Sequence, residues 1–287
     1  RRAGVLEPRG GPLERVSRGI TLAPALAWDD NVNGGVPGAR LGFGPFVLTV
    51  DERSRAKAGV VLGLDGGIEA GWAAGGATLL TVQAAASWRH APEHDMGWQA
   101  GLLRGCAARM VAPWRWVEGC AAVSGIEREL SSTAARRLEA RHVSLHPGPW
   151  ASHELSLGVW LEDRDGSVQP GLSARLTSAA RIGLIDAFAL AGREPEGRAG
   201  VTAAGGLGFT RVLLGAPARV AMGFAVERGG AVLGQARKDE VASVSLSRAV
   251  AAGVTARLGL ARRQSTVDAF EEDLSVSLGL TFRGWRF

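Results

Sequence analysis

Several residue types are scarce in this chain, and each scarcity removes a class of protein. Tyrosine is absent, and lysine occurs only at Lys57 and Lys238. The two cysteines, Cys106 and Cys120, are too few for a disulfide scaffold or a zinc site. The 41 glycines follow no Gly-X-Y period, which excludes collagen. No signal peptide opens the chain, so a mature protein or a fragment is expected. Neither a phosphate loop nor a Gly-x-Ser-x-Gly elbow occurs. His90 and His94 flank Pro92 in a loop, so a helical metal pair is unavailable. His142 and His146, on a strand, would lie about 13 Å apart, too far to share an ion. Neither catalysis nor a cofactor is expected.

Disorder is also excluded, because 46% of the 287 residues are hydrophobic and only 21% are charged. Basic residues number 33 against 28 acidic ones, and arginine supplies nearly all of the net +5. Acids are interspersed throughout, so the charge does not form a nucleic-acid stripe.

What the chain does have is alternation. Ala70 to Trp88 carries no charge over roughly 19 residues, the length of a membrane helix. Glycines break its first half, however, and Leu80, Val82, Ala84, Ala86 and Trp88 share one parity in the second. That is a hairpin. Val220, Met222, Phe224 and Val226 repeat the pattern, as do Leu155, Leu157, Val159 and Leu161, and Leu274, Val276, Leu278, Leu280 and Phe282. Short connections such as Val111–Pro113 and Gly215–Pro217 alternate with longer charged ones, such as His90–Asp95, Glu162–Ser167 and Arg228–Asp239. The longest runs from Asp29 to Arg55. This rhythm predicts an all-β fold, a transmembrane antiparallel up-and-down barrel of about fourteen strands, in a bacterial outer membrane. The spans run from 18–28 to 273–287, with Pro24 weakening the first. Residues 1–17 are expected to be a linker or remnant, and 18–287 the barrel.

Trp28, Trp88, Trp98 and Trp160 fall near long-loop ends of strands, and Trp72, Trp114, Trp116, Trp150 and Trp285 near short-turn ends. All nine are predicted to form the aromatic girdles of the two interfaces. The face opposite the apolar stripes should line the lumen. It carries Asp65, Glu69, Glu118, Arg137, Glu139, Arg141, Glu154, Arg175, Arg219, Glu227, Arg257 and Arg263. Its mixed signs argue against a strongly ion-selective filter and for a solvated wall with internal ion pairs. Cys106 and Cys120 lie equidistant from Pro113, which suits either a cross-strand bond or two buried thiols.

The run Ala27-Trp28-Asp29-Asp30-Asn31-Val32-Asn33-Gly34-Gly35 resembles the Asp-x-Asn-x-Asn segment opening the barrel of the surface lipoprotein assembly modulator family. Gly42 to Gly59 resembles that family's next block, and Leu278 to Phe287 its terminal strand. The resemblance implies a fourteen-stranded outer-membrane barrel behind a periplasmic tetratricopeptide-repeat domain. It also implies export of lipoproteins or small secreted haem- and metal-acquisition proteins. The partners would be outer-membrane lipids, the exported client and the barrel-assembly machinery. Two departures stand out. Residues 1–17 are too short for one repeat, and Trp285 and Phe287 share parity with Ser277 rather than with Phe282.

The leading functional expectation is therefore a protein translocator, with a passive solute channel or a filled structural barrel as rivals. Asp29, Asp30, Asn31 and Asn33 are expected to order the first long loop. Within that loop Leu41, Phe43, Phe46, Val47, Leu48 and Val50 would each gain about 1.5–3 kcal/mol if fully buried. Their segment is expected to fold inward as a plug or to pack on the rim.

Overall fold

The computed structural model describes residues 13–43, 46–75, 77–232, 234–267, 270–282 and 285–286. Strand after strand pairs antiparallel with the next. In chain order these are β1 (Leu13–Asp29), then β4 (Gly59–Ala74), β5 (Thr78–Ala91), β6 (Met96–Ala112) and β7 (Arg115–Arg128). Next come β8 (Ser132–Pro147), β9 (Ala151–Arg164), β10 (Ser167–Ala180), β11 (Gly183–Gly192) and β12 (Gly200–Leu213). The last are β13 (Ala216–Val232), β14 (Gln235–Ala251), β15 (Val254–Ser265) and β16 (Glu272–Phe282). β1 also pairs with β16, so these fourteen strands close into an up-and-down barrel. A separate hairpin, β2 (Arg40–Phe43) with β3 (Phe46–Thr49), sits in the first long connection.

The exterior explains why such a sheet closes. Val220, Met222 and Phe224 on β13 are exposed, and so are their cross-strand neighbours Leu207, Phe209, Val244 and Leu246. Leu62, Leu64 and Ile68, and Leu157, Val159 and Leu161, continue the same apolar surface. A water-soluble protein rarely exposes so large a contiguous apolar area. Closure joins the two edges of the sheet within lipid, where an unsatisfied backbone group costs several kcal/mol. The belt and the closed ladder together place the chain in a bacterial outer membrane. No helix among the described residues is long and apolar enough to cross a membrane. Ala70–Trp88 is the β4–β5 hairpin.

Several boundaries differ from the sequence reading. β1 begins at Leu13, inside the expected linker, while 1–12 lie outside the described residues. The connection after β9 is no long loop: Asp165 and Gly166 both adopt positive φ, at 51° and 83°, as a two-residue hairpin turn requires. The β13 and β14 strands likewise run together as far as Val232 and Gln235, which absorbs most of the expected Arg228–Asp239 loop.

The seam between the first and last strands is brief. Four pairs join Ala25–Trp28 to 278–281, ending just above Pro24, which has no N–H to donate. The short β17 (Trp285–Arg286) then pairs with Leu22 and Thr21. Four residues separate Thr21 from Ala25, but five separate Thr281 from Arg286. That one-residue bulge reverses the parity and sets Trp285 opposite Leu22, on the register of the lipid face.

Candidate functional site

Directly opposed residues in a ladder share a face, so the register sorts every strand into lipid side and lumen side. Asp65, Glu69, Glu118, Arg137, Glu139, Arg141, Glu154, Arg175, Arg219, Glu227, Arg257 and Arg263 all fall on the lumen side. The lumen wall is the candidate functional site.

Its charges are mostly paired. Glu118 and Arg141, directly opposed on β7 and β8, form an ion pair. Arg137 meets Glu162 at 3.7 Å and Arg104 reaches Glu139 at 3.4 Å. Arg89 holds both oxygens of Asp65, at 2.7 and 2.9 Å, and Ser87 donates to the same carboxylate. Asp239, fully buried, accepts from Arg237, Arg263 and Ser265. The sequence reading missed Arg89, Arg104, Glu162, Asp186 and Asp239 as lumen residues, although each follows the parity of its strand. Arg175, Arg257, Glu69 and Glu154 have no ion-pair partner among the described residues.

Cys106 and Cys120 are directly opposed and joined by a disulfide on the lumen side. Arg104 donates to both sulfur atoms at 3.3 Å. The sulfurs therefore sit within the Arg104–Glu139 and Glu118–Arg141 network instead of in an apolar layer.

Three tryptophans expected in the girdles point inward. Trp98 lies on the lumen register opposite Arg89 and Arg128, both of which stack on its ring, and it donates to Asp29 at 3.1 Å. Trp116 is buried against Val143, with Leu79, Met110 and Leu145 packed around it, inside the short-turn end. Trp160 lies flat over Gly171, where any Cβ would strike the indole, and Arg137 covers its other face. Trp98 and Trp160 thus find cationic and polar partners inside the barrel, and Trp116 an apolar cluster. Trp28 and Trp88 do stand exposed on the lipid register, and Trp72 shares that register. Trp114 and Trp150 are exposed at the short-turn end.

The first long loop is sutured to the barrel mouth by its Asx residues. Asn31 donates to the Gly35 carbonyl and accepts from the Gly35 N–H, both at 2.8 Å. Asn33, buried, donates to the Arg55 carbonyl at 2.7 Å and accepts from the Lys57 N–H at 3.0 Å. Arg128 reaches the Asn31 carbonyl and lies 3.6 Å from Asp29. Val32 is completely buried against Val61 and Ala91, so this stretch narrows one side of the mouth. Asp30 makes no hydrogen bond among those described.

The proposed plug segment behaves differently. Val47 and Leu48 are exposed, at 67% and 46%. The burial expected of them inside the lumen or on the rim is not found. The side chains of Leu41, Phe43 and Phe46 lie outside the described residues.

Inside, the wall encloses two concavities of small-solute size. One, of about 630 Å³, is lined by Glu69, Thr81, Gln83, Arg104, Glu118 and Arg141. The other, of about 480 Å³, runs past Ser124, Arg137, Glu139, Ser156, Arg175 and Phe188. A third, of about 520 Å³ between Val82, Leu103, Val123 and Leu138, lies on the lipid face.

No family model and no curated protein matches the chain. Among solved structures it is similar to the outer membrane protein OpdK of Pseudomonas aeruginosa, at 9% identity and a TM-score of 0.46, over 94% of this chain and 99% of that one. It is similar also to Acinetobacter baumannii OccAB3, at 8% identity and a TM-score of 0.47, over 94% and 99%.

Proposed function

We propose that this barrel is a passive channel for small polar solutes. The observation carrying that reading is the lumen wall, whose opposite charges neutralise each other in place. A wall of paired Arg and Asp/Glu groups is wettable without imposing one sign of charge, so it favours hydrophilic solutes over a particular ion. The concavities along it match small molecules in volume. The barrel acts by providing a path, with no enzymatic step.

The second reading is a protein translocator of the surface lipoprotein assembly modulator type, with a lipoprotein or small secreted client. One observation favours it: among the described residues, the β1–β16 seam has only four ladder pairs, extended by two more to β17, fewer than the other junctions between neighbouring barrel strands. Planar-bilayer recording separates the two. Steady open current with graded exclusion of larger sugars in liposome swelling supports the channel. A barrel that conducts only in brief flickers, and excludes even small sugars, overturns it.

A further inference from the structure

The lipid-facing surface is asymmetric in charge. At the long-loop end both signs occur together: Arg136 opposes Asp163, and Lys238 contacts Glu240 at 2.6 Å. The middle of the belt is uncharged. At the short-turn end Arg18, Arg109, Arg115, Arg211 and Arg248 fall on the lipid register, and Arg181 stacks on the exposed Trp150. Among the described residues no Asp or Glu shares that face there. The acids of that end, Glu14, Glu69, Glu118, Glu154 and Asp186, are all on the lumen register.

Two of these arginines form a defined pair. Ala218 on β13 is directly opposed by Arg211 on β12 and by Arg248 on β14. The small alanine is nearly covered between these two arginine positions on successive strands. The Arg248 Nε is buried and has no hydrogen-bond partner. A guanidinium N–H with no acceptor is costly in so apolar a place. The planar arginine fork matches the geometry of a phosphate group.

We propose that the Arg211–Ala218–Arg248 row binds the phosphate of an anionic phospholipid, with Arg211 and Arg248 as its ligands and the remaining arginines as a supporting belt. Short turns face the periplasm in such barrels, so the lipid belongs to the inner leaflet of the outer membrane. The single sign of charge distinguishes anionic from zwitterionic headgroups, because no acidic side chain is present to hold a choline or ethanolamine group.

The test uses the folded barrel in mixed micelles containing phosphatidylglycerol, phosphatidylcholine or lipid A, with bound lipid read by native mass spectrometry. Phosphatidylglycerol should be retained over phosphatidylcholine and over lipid A. Each of Arg211→Gln and Arg248→Gln should weaken that preference by about fivefold, the effect of one arginine at an anionic surface. Equal retention of the glycerol and choline lipids by the unaltered chain overturns the proposal, whatever the variants do. So does a preference for lipid A, which would assign the belt to the other leaflet's chemistry. Undiminished phosphatidylglycerol preference in the double variant, with barrel migration on unheated gels intact, also overturns it.

Discussion

Asp186 on β11 and Arg219 on β13 are joined across an intervening strand. Both Arg219 terminal nitrogens reach the carboxylate, one at 2.7 Å, and the bridge passes over Gly208 of β12. A Cβ at position 208 would collide with the Arg219 guanidinium and the Asp186 carboxylate. The glycine is therefore part of the ion pair, although it carries no charge. Both side chains remain about a third exposed to the lumen, so the pair itself contributes at most about 1 kcal/mol. Arg219→Gln should lower stability by no more than that. Gly208→Val should cost about 1–3 kcal/mol, because the wall must move to admit it. Urea unfolding of the reconstituted barrel measures both, and equal effects would contradict this account.

The register makes a sharp distinction on β13. Met222 faces lipid, and Ala225, three positions on, faces the lumen opposite Ala204. An arginine at a mid-bilayer lipid site costs about 2–4 kcal/mol. Met222→Arg should impair assembly, seen as loss of the fast-migrating unheated band, while Ala225→Arg assembles normally. Equal yields would mean the lumen and lipid sides are misassigned.

Asn33 serves two backbone groups from a buried position, the Arg55 carbonyl and the Lys57 N–H. Asn33→Ala leaves both without their partner, at about 1–3 kcal/mol for each buried unsatisfied group. The loss is local to the first loop. Limited proteolysis should therefore cut within 36–55 sooner, with the barrel core still protected. A global fall in protection would show that the loop is needed for closure.

Val47 and Leu48 of hairpin β2–β3 are exposed rather than buried as a plug would require. Deleting Leu41–Val50 should then leave steady conductance unchanged. A marked rise in current would restore the plug expected from its apolar sequence.

The disulfide closes a short span, 14 residues apart in sequence. In the chain-entropy account a loop of about 15 residues is worth about 3 kcal/mol. The double variant Cys106→Ser and Cys120→Ser should lower unfolding stability by about that amount and still form a heat-modifiable barrel. No change in the urea midpoint would mean that the unfolded chain already keeps this hairpin together.

Much of this was legible in the residues because period-two alternation is a direct consequence of strand geometry. Val220 to Val226 shows it without a break, and the charges opposite follow from the same parity. The tryptophans were misread because distance along a strand was allowed to outweigh parity. Trp160 alternates with Val159 and Leu161 and shares its face with Glu154 and Glu162, so its inward direction was already written in its neighbours. Asp165-Gly166 is a two-residue hairpin signal hidden within the charged Glu162–Ser167 stretch. The parity break between Phe282 and Trp285 is legible as a tail or a bulge, but the pairing of Trp285 with Leu22 is not, because it depends on register across the seam. The Arg211–Ala218–Arg248 alignment was also hidden, since it depends on cross-strand register over three strands.

The brief seam also has a consequence for how the molecule forms. The other junctions join strands that follow one another around the barrel, most of them through a turn from which the ladder can zip. Ala25 and Thr281 are 281 − 25 = 256 residues apart, and no local turn brings them together. Their loop-closure entropy must be met by the few pairs of that junction. The barrel should therefore grow as an open, curling sheet whose final event is the meeting of β1 with β16. Variants at this junction should change the rate of the last kinetic phase and leave the earlier ones alone.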